Sequence, residues 1–158
     1  MLVRPTPDDV PGYLNELYKQ LTLPPAAWTP VLTFATAGDL SVAYTTQFGR
    51  KKLIGNYGRA WFVIVTSTFT HTTASGNCQI TGLGETALNV TNLRNFGSMV
   101  FQGITKANFT QIVPTLRPNE TTILLEASGS AQTQGTVTAA DMPTGGSVIL
   151  RGEVLFPI

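Results

Sequence analysis

The sequence predicts an all-β protein: an antiparallel β-sandwich or jelly-roll-like domain preceded by a short N-terminal amphipathic helix. Three observations predict this class. The chain of 158 residues contains 24 Thr, a β-branched residue that favours pleated strands. Turn-forming residues recur about every 8–12 positions after Trp28, as in sandwiches and barrels built from many short strands. A single segment repeats its apolar residues with the period of a helix.

The helix is expected within the first 27 residues. Apolar residues there fall at offsets of 0, 3, 4, 7, 8 and 11, which places their side chains on one helix face. Pro11 fits the first turn of such a helix, and the residues before Pro24 and Pro25 end it. This apolar stripe consists of Val10, Tyr13, Leu14, Leu17, Tyr18 and Leu21.

The apolar stripe has to be buried, and the sequence leaves its partner open. Because a helix this short is marginal alone, the stripe either packs against its own sheet or docks on sister subunits or a larger assembly. We therefore divide the chain into two parts. Residues 1–27 form a helical arm or anchor, and residues 28–158 form the β-sandwich domain.

Alternating apolar and polar residues, bounded by Gly, Asn and Pro, predict eight to ten short strands. The strongest, residues 61–69, contains a change of register. The last carries Val148, Leu150, Val154 and Phe156, so we expect it to be central in a sheet or buried between subunits. The predicted strands are 28–34, 40–48, 61–69, 78–83, 98–104, 109–113, 121–127, 135–138 and 147–156.

Composition excludes several classes of function. Ten Lys and Arg against nine Asp and Glu give a net charge of +1, without the basic excess of a duplex-binding domain. No run of 18 apolar residues occurs, and the first ten residues lack a signal-peptide core. We therefore expect no nucleic-acid partner, no membrane partner and synthesis in the cytoplasm. One Cys excludes an internal disulfide framework.

No constellation of catalytic residue types stands out. His71 lies in a Thr-rich turn, and Cys78 is expected to be an inert core thiol. Glu126 and Glu153 fall in strand patterns and are interpreted as solvated strand positions rather than as a pair of hydrolytic carboxylates. We expect no enzymatic activity, no cofactor and no metal ion.

The one basic cluster is Arg50-Lys51-Lys52. Three consecutive charges are a weak signal and are typical of a solvated hairpin end. The alternative is a surface contact with an acidic partner, a phosphate or a glycan carboxylate.

Separate pieces of residues 28–83 occur in a recognisable order. Trp28-Thr29-Pro30-Val31-Leu32-Thr33-Phe34 is followed by the segments 38–44, 46–56 and 75–83. This order resembles a β-rich module of tailed-bacteriophage virion proteins, especially tail fibres, whose pattern is roughly W-T-P-x-L-x-F, Y-x-x-Q-x-G-x-Y-x-K-I-G-N and S-G-x-x-x-I-T-G-L-P. Lys51 stands where the pattern has a tyrosine, and Gly84 stands where it has a proline.

The resemblance implies a virion structural module, usually a homotrimer, that catalyses no reaction. Its matching residues are of the types that supply core or interface anchors and turns. These framework residues are Trp28, Phe34, Tyr44, Gly49, Ile54, Gly55, Asn56 and Gly82.

The position on the virion is a further expectation. Only 27 residues precede Trp28, with no repetitive shaft, so we expect a capsid decoration or cement protein on the outer surface of the particle. Its partners would be the major capsid protein or tail components. The alternative is a tail fibre or receptor-binding protein that recognises a host surface glycan or protein through residues 72–77 and 128–134.

Overall fold

The computed structural model describes residues 12–129 and 131–158. Helix α1 spans Gly12–Thr22, and no helix in this described part is long and apolar enough to cross a membrane. A 3-10 turn spans Ala139–Asp141. The strands are β1 Ala26–Trp28, β2 Val31–Thr36, β3 Ser41–Ile54, β4 Tyr57–Thr70, β5 Ser75–Thr81, β6 Asn95–Gln102, β7 Gln111–Leu116, β8 Ile123–Ser128, β9 Gly135–Thr136 and β10 Ile149–Pro157.

The strands form one curled antiparallel sheet in the order β1-β3-β4-β10-β6-β7-β8-β5-β2, with β9 beside β8. Strand β6 belongs to both layers of the curl. Gly97 to Gln102 pair with β10, whereas Asn95 and Phe96 pair with β7. The sheet thus folds over itself around a shared core, and the predicted all-β, sandwich-like class with a short helix is confirmed.

Strand β4 shows how alternation builds the core. Phe62 and Ile64 point inward and are fully buried. Ladder irregularities between β3 and β4 interrupt the alternation near Thr66, after which Phe69 becomes the buried residue. The predicted register change is therefore confirmed, and its physical form is a bulge that turns the strand's faces.

Strand β10 is central, as predicted. It pairs with β4 along its whole length and with β6 on its other side. Its inward residues Leu150, Val154 and Phe156 are fully buried. The last strand in the sequence therefore joins segments that lie far apart along the chain.

Several predicted strand boundaries are wrong. The strand expected at 28–34 is split into β1 and β2 around Thr29-Pro30, where proline lacks the N–H that a ladder needs. The candidate recognition loop at residues 72–77 is shorter than expected, because β5 already begins at Ser75. Strands β3 and β4 also extend beyond the predicted bounds and meet at a two-residue turn, Gly55-Asn56.

Trp28 fixes β1 to the sheet. It pairs with Gly49 of β3, and its indole Nε1 lies 3.2 Å from the carbonyl oxygens of Arg50 and Trp61. A Cβ at Gly49 would lie 2.6 Å from the same Nε1 and 2.7 Å from the Trp28 backbone oxygen. Position 49 is therefore restricted to glycine by the close approach of Trp28.

Replacing Gly49 by Ala should destabilise the protein by about 1–3 kcal/mol, because ring and backbone must both shift to admit the methyl group. Urea unfolding followed by circular dichroism measures this change. Gly145→Ala is the matched control, since its Cβ would meet nothing within 4 Å and its φ lies outside the left-handed region. Equal unfolding midpoints for the two variants would contradict the proposed contact.

Candidate functional site

The apolar stripe of helix α1 remains largely uncovered. Leu14, Leu17 and Leu21 are 36%, 44% and 52% exposed. Tyr18 is half-buried, Val10 lies outside the described residues, and the Tyr13 side chain is likewise not described. The domain's own sheet therefore leaves these three leucines available to a partner.

The C-terminal end of helix α1 is tied to the β3–β4 hairpin. Lys52 Nζ donates to the carbonyl oxygens of Leu21 and Leu23, at 2.8 and 3.0 Å. The Gly55 N–H donates to Gln20 Oε1 at 3.3 Å. A cation at a helix C-terminus satisfies free carbonyls and interacts favourably with the helix dipole. These contacts hold the helix at its C-terminal end.

The basic cluster does not form one patch. Lys51 donates to the Leu83 carbonyl oxygen and to Glu85 Oε1, at 2.7 and 2.9 Å. Lys52 holds the end of α1, and the Arg50 guanidinium lies over the Phe48 ring, 5.3 Å from its centroid. Two of the three cations therefore make contacts that stabilise the fold.

The framework residues of the resemblance lie mainly in the core and at turns. Trp28 and Phe34 are buried, and the Tyr44 hydroxyl accepts from the Leu32 N–H at 3.0 Å. Gly82 has a φ of +92°, and a Cβ there would lie 2.2 Å from the Thr29 carbonyl oxygen. Trp28, Phe34, Tyr44 and Gly82 therefore restrain strand β2 and the connections next to it.

The remaining framework residues lie at the β3–β4 turn. Gly49 lies against Trp28, as described above. Gly55 has a φ of +58°, and the Asn56 carbonyl oxygen accepts from the Ile158 N–H at 2.9 Å. Ile54 is 39% exposed beside this turn.

Cys78 and His71 are both enclosed in the core. Cys78 is fully buried, and burial raises the pKa of its thiol to about 12, so the thiol stays protonated at neutral pH. The His71 ring lies edge-on to Phe34 and Phe69, with centroid distances of 4.9 and 5.8 Å. Within residues 12–129 and 131–158, no group of three or more His, Cys, Asp or Glu could hold a metal ion.

The interpretation of Glu126 as a solvated strand residue is wrong. Glu126 is 3% exposed, and its Oε1 accepts from Arg117 Nε and Nη2 at 3.0 and 2.8 Å. Arg94 Nη1 lies 3.5 Å from the same oxygen, and Gln134 Nε2 donates to Oε2. The Glu126 carboxylate can be buried because these hydrogen-bond donors compensate its negative charge. Glu153 lies in the other layer, paired with Arg59.

A cleft of about 350 Å³ opens beside Glu126, where β6 leaves β7 to pair with β10. We call it the polar groove. Its sequence signal is a single carboxylate within the otherwise apolar run Ile123-Leu124-Leu125-Glu126-Ala127. The residues that define the polar groove are Phe96, Gln111, Val113, Glu126, Ser128 and Gln134.

Asp39 clamps together two turns at one end of the molecule. Its carboxylate accepts from the Thr72 hydroxyl, the Thr72 N–H at 2.9 Å, the Thr73 N–H at 2.8 Å and the Thr73 hydroxyl at 3.0 Å. These hydrogen bonds, led by the Thr72 hydroxyl, hold the pKa of Asp39 well below its usual range. They join the β2–β3 connection to the β4–β5 connection.

Comparisons with known proteins bear on the fold. No protein-family model and no curated protein sequence matches the chain. Among solved structures, the chain is similar to part of the Dettilon tailspike protein, with a TM-score of 0.56 and 18% sequence identity. The match covers 82% of this chain and 23% of the tailspike chain, so this chain spans less than a quarter of that protein. At this identity the likeness shows a shared fold.

Replacing Asp39 by Asn should lower the melting temperature by a few degrees at pH 7, because an amide cannot accept from all four donors as a carboxylate does. The folded-state pKa lies below the ordinary 3.8, so the ionised form stabilises the fold above about pH 4. That stabilisation is lost as the pH falls further towards the folded-state pKa. Melting curves should therefore show the gap between wild type and variant narrowing below about pH 4.

Glu120→Gln is the control, since the exposed Glu120 side chain makes no hydrogen bond among the described residues. A gap between wild type and Asp39→Asn that stays constant from pH 7 to pH 3 would show that the carboxylate charge contributes nothing.

Proposed function

We propose that this chain is a non-enzymatic structural protein of the outer surface of a tailed-phage virion. The observation that carries the proposal is the fold that four-fifths of the chain shares with part of a tailspike. The ordered motifs of residues 28–83 support the same class independently, through their resemblance to tail-fibre modules. In this proposal the protein is made in the host cytoplasm and then assembled onto the particle.

Within the virion we favour the tail, as a component of a tail fibre or receptor-binding protein. The tailspike likeness supports this position over the capsid decoration or cement role expected from the length of the chain. Decoration remains the second candidate because the exposed leucines of α1 also suit attachment to a capsid shell. Assembly as a homotrimer is part of the proposal and rests on the family resemblance.

In either position, helix α1 supplies the attachment. Fully burying a leucine side chain contributes about 1.5–3 kcal/mol, so covering the exposed halves of three leucines contributes roughly 1 kcal/mol each. Association costs several kcal/mol in lost translational and rotational freedom, so burial of these leucines alone gives weak binding. Helix α1 therefore acts together with further contacts or in several copies. The partner is a major capsid protein or a tail component with a complementary apolar groove.

The chemistry of the candidate catalytic groups supports a non-enzymatic role. The buried Cys78 thiol is protonated, and the His71 ring is packed against two phenylalanines. Glu126 and Glu153 each pair with an arginine, on different layers of the sheet. None of these groups is arranged as a nucleophile with an adjacent base.

Changing Leu14 and Leu17 together to Asp should abolish incorporation into particles while leaving the domain folded. The two carboxylates cannot be buried in an apolar groove, and the native leucines contribute little to the sandwich core. The measurement is the amount of variant chain in purified particles, by immunoblot, together with a melting curve of the isolated protein.

The matched control is Asn15→Asp with Lys19→Asn, which changes the net charge by the same two units on the polar side of α1. Normal incorporation of the leucine double variant would show that α1 is not the anchor. Unfolding of that variant alone would show that the leucines belong to the domain's own core.

A further inference from the structure

Strand β4 is apolar on both of its faces. Its residues 60–65 form an uninterrupted apolar run, in which Phe62 and Ile64 point into the core. Because side chains alternate along a strand, Trp61 and Val63 point away from the core, where they are partly exposed. An antiparallel strand with one solvated face normally alternates apolar and polar residues, whereas a continuous run is typical of a strand covered on both faces. The pattern therefore indicates that a partner covers the outer side of β4.

The outer side of β4 belongs to a wider surface, which we call the outer sheet face. The strand registers join residues of β3, β4, β10 and β6 into two neighbouring rows across the sheet. Val100 is 72% exposed and Phe48 is 44% exposed, and a depression of about 320 Å³ opens between them and Trp61 on the β6 side. The residues that define the outer sheet face are Phe48, Arg50, Trp61, Val63, Val100 and Arg151. Neighbouring exposed apolar side chains of this kind mark interaction surfaces.

The outer sheet face carries positive charge that the subunit does not compensate. Glu153 lies in the same rows but is already paired with Arg59. Arg50 and Arg151 are exposed and form no salt bridge within residues 12–129 and 131–158. Charges that an interface buries need partners of opposite sign. A protein that covers this face therefore has to supply carboxylates opposite Arg50 and Arg151.

A second copy of the chain does not supply those carboxylates. Two outer sheet faces brought together would set positive charge against positive charge, which opposes contact. In the described part of the chain, Glu16 lies 3.6 Å from Lys19, and Glu120 is a single exposed carboxylate on the β7–β8 connection. The other described carboxylate side chains are engaged within the subunit, namely Asp39, Glu85, Glu126, Asp141 and Glu153. The charges thus favour a different protein as the partner.

Single-stranded nucleic acid fits the outer sheet face less well than a protein does. Nucleic acid binds basic surfaces on which its bases stack against open aromatic rings. Here the Arg50 guanidinium lies over the Phe48 ring at 5.3 Å from the centroid, and the Arg59 guanidinium lies over the Trp61 ring at 4.8 Å. A guanidinium over a ring competes with a base for that position. The net charge of +1 also lacks the excess that a phosphate backbone requires.

We propose that the outer sheet face binds a different protein whose contact surface has an apolar centre flanked by carboxylates. Val63, Val100 and Phe48 supply the apolar contact. Arg50 and Arg151 supply the charged contacts, since a planar guanidinium binds a carboxylate through two parallel hydrogen bonds. This surface is separate from the leucines of α1, so the inference goes beyond the proposed attachment and does not depend on the position of the chain in the virion.

The test places the photoreactive residue p-benzoylphenylalanine at Val100 of the full chain, in infected cells that produce particles. After irradiation, mass spectrometry identifies the crosslinked peptides. We expect a peptide of one different protein that contains Asp or Glu. Arg151→Glu should lower the yield of this crosslink by about tenfold or more, as expected for losing a charge-assisted contact, whereas Arg151→Lys should keep most of it.

Three controls make the crosslinking result specific. Lys19→Glu changes the net charge by the same amount on α1 and should leave the yield unchanged. The photoreactive residue at Glu120 instead of Val100 measures random encounters. Melting curves establish that each variant is folded, and Arg50→Glu provides a second charge reversal should Arg151→Glu unfold.

Four results would each overturn the proposal. They are a yield at Val100 no higher than at Glu120, a crosslink to a second copy of this chain, a crosslink to nucleic acid, and a crosslink that the charge reversal leaves unchanged. A protein crosslink in infected cells whose particles lack the chain would support the contact and contradict the proposed virion role. The two proposals can therefore fail separately.

Discussion

The position of β10 between β4 and β6 is the constraint on which the rest of the structure depends. Strand β4 carries the buried Phe62 and Phe69, and β6 carries the backbone across to the other layer. Among the described strands, only β10 bonds to both, and it lies near the C-terminal end of the sequence. Such long-range pairing cannot form until the whole domain has been synthesised, so we expect the two layers to close late in folding.

The same arrangement places the apolar stripe of α1 and the polar groove on different parts of the fold. Helix α1 is held at one hairpin through Lys52 and Gln20, which leaves its leucines uncovered. The polar groove forms where β6 changes partners. In a protein attached through α1, the polar groove would therefore lie on a part of the fold separate from the attachment.

Local sequence patterns predict most of this architecture, because strand alternation and turn residues are local signals. They predict the register change in β4 and the central position of β10 from their apolar residues alone. They do not predict that Glu126 is buried, since its donors Arg94, Arg117 and Gln134 lie on other segments of the chain. The separate roles of Lys51 and Lys52 likewise depend on Glu85 and on the end of α1. Tertiary partners decide these positions, and a local pattern does not contain them.

The central claim is that the chain is a virion surface protein, and its copy number in purified particles tests this most directly. Quantitative gel staining would compare the chain with the major shell protein in the same particles. The account predicts that the chain is present at a small fraction of the shell protein's copy number, as for a tail component. A copy number similar to that of the shell protein would contradict the tail position and favour capsid decoration. Absence from purified particles would contradict the virion role itself.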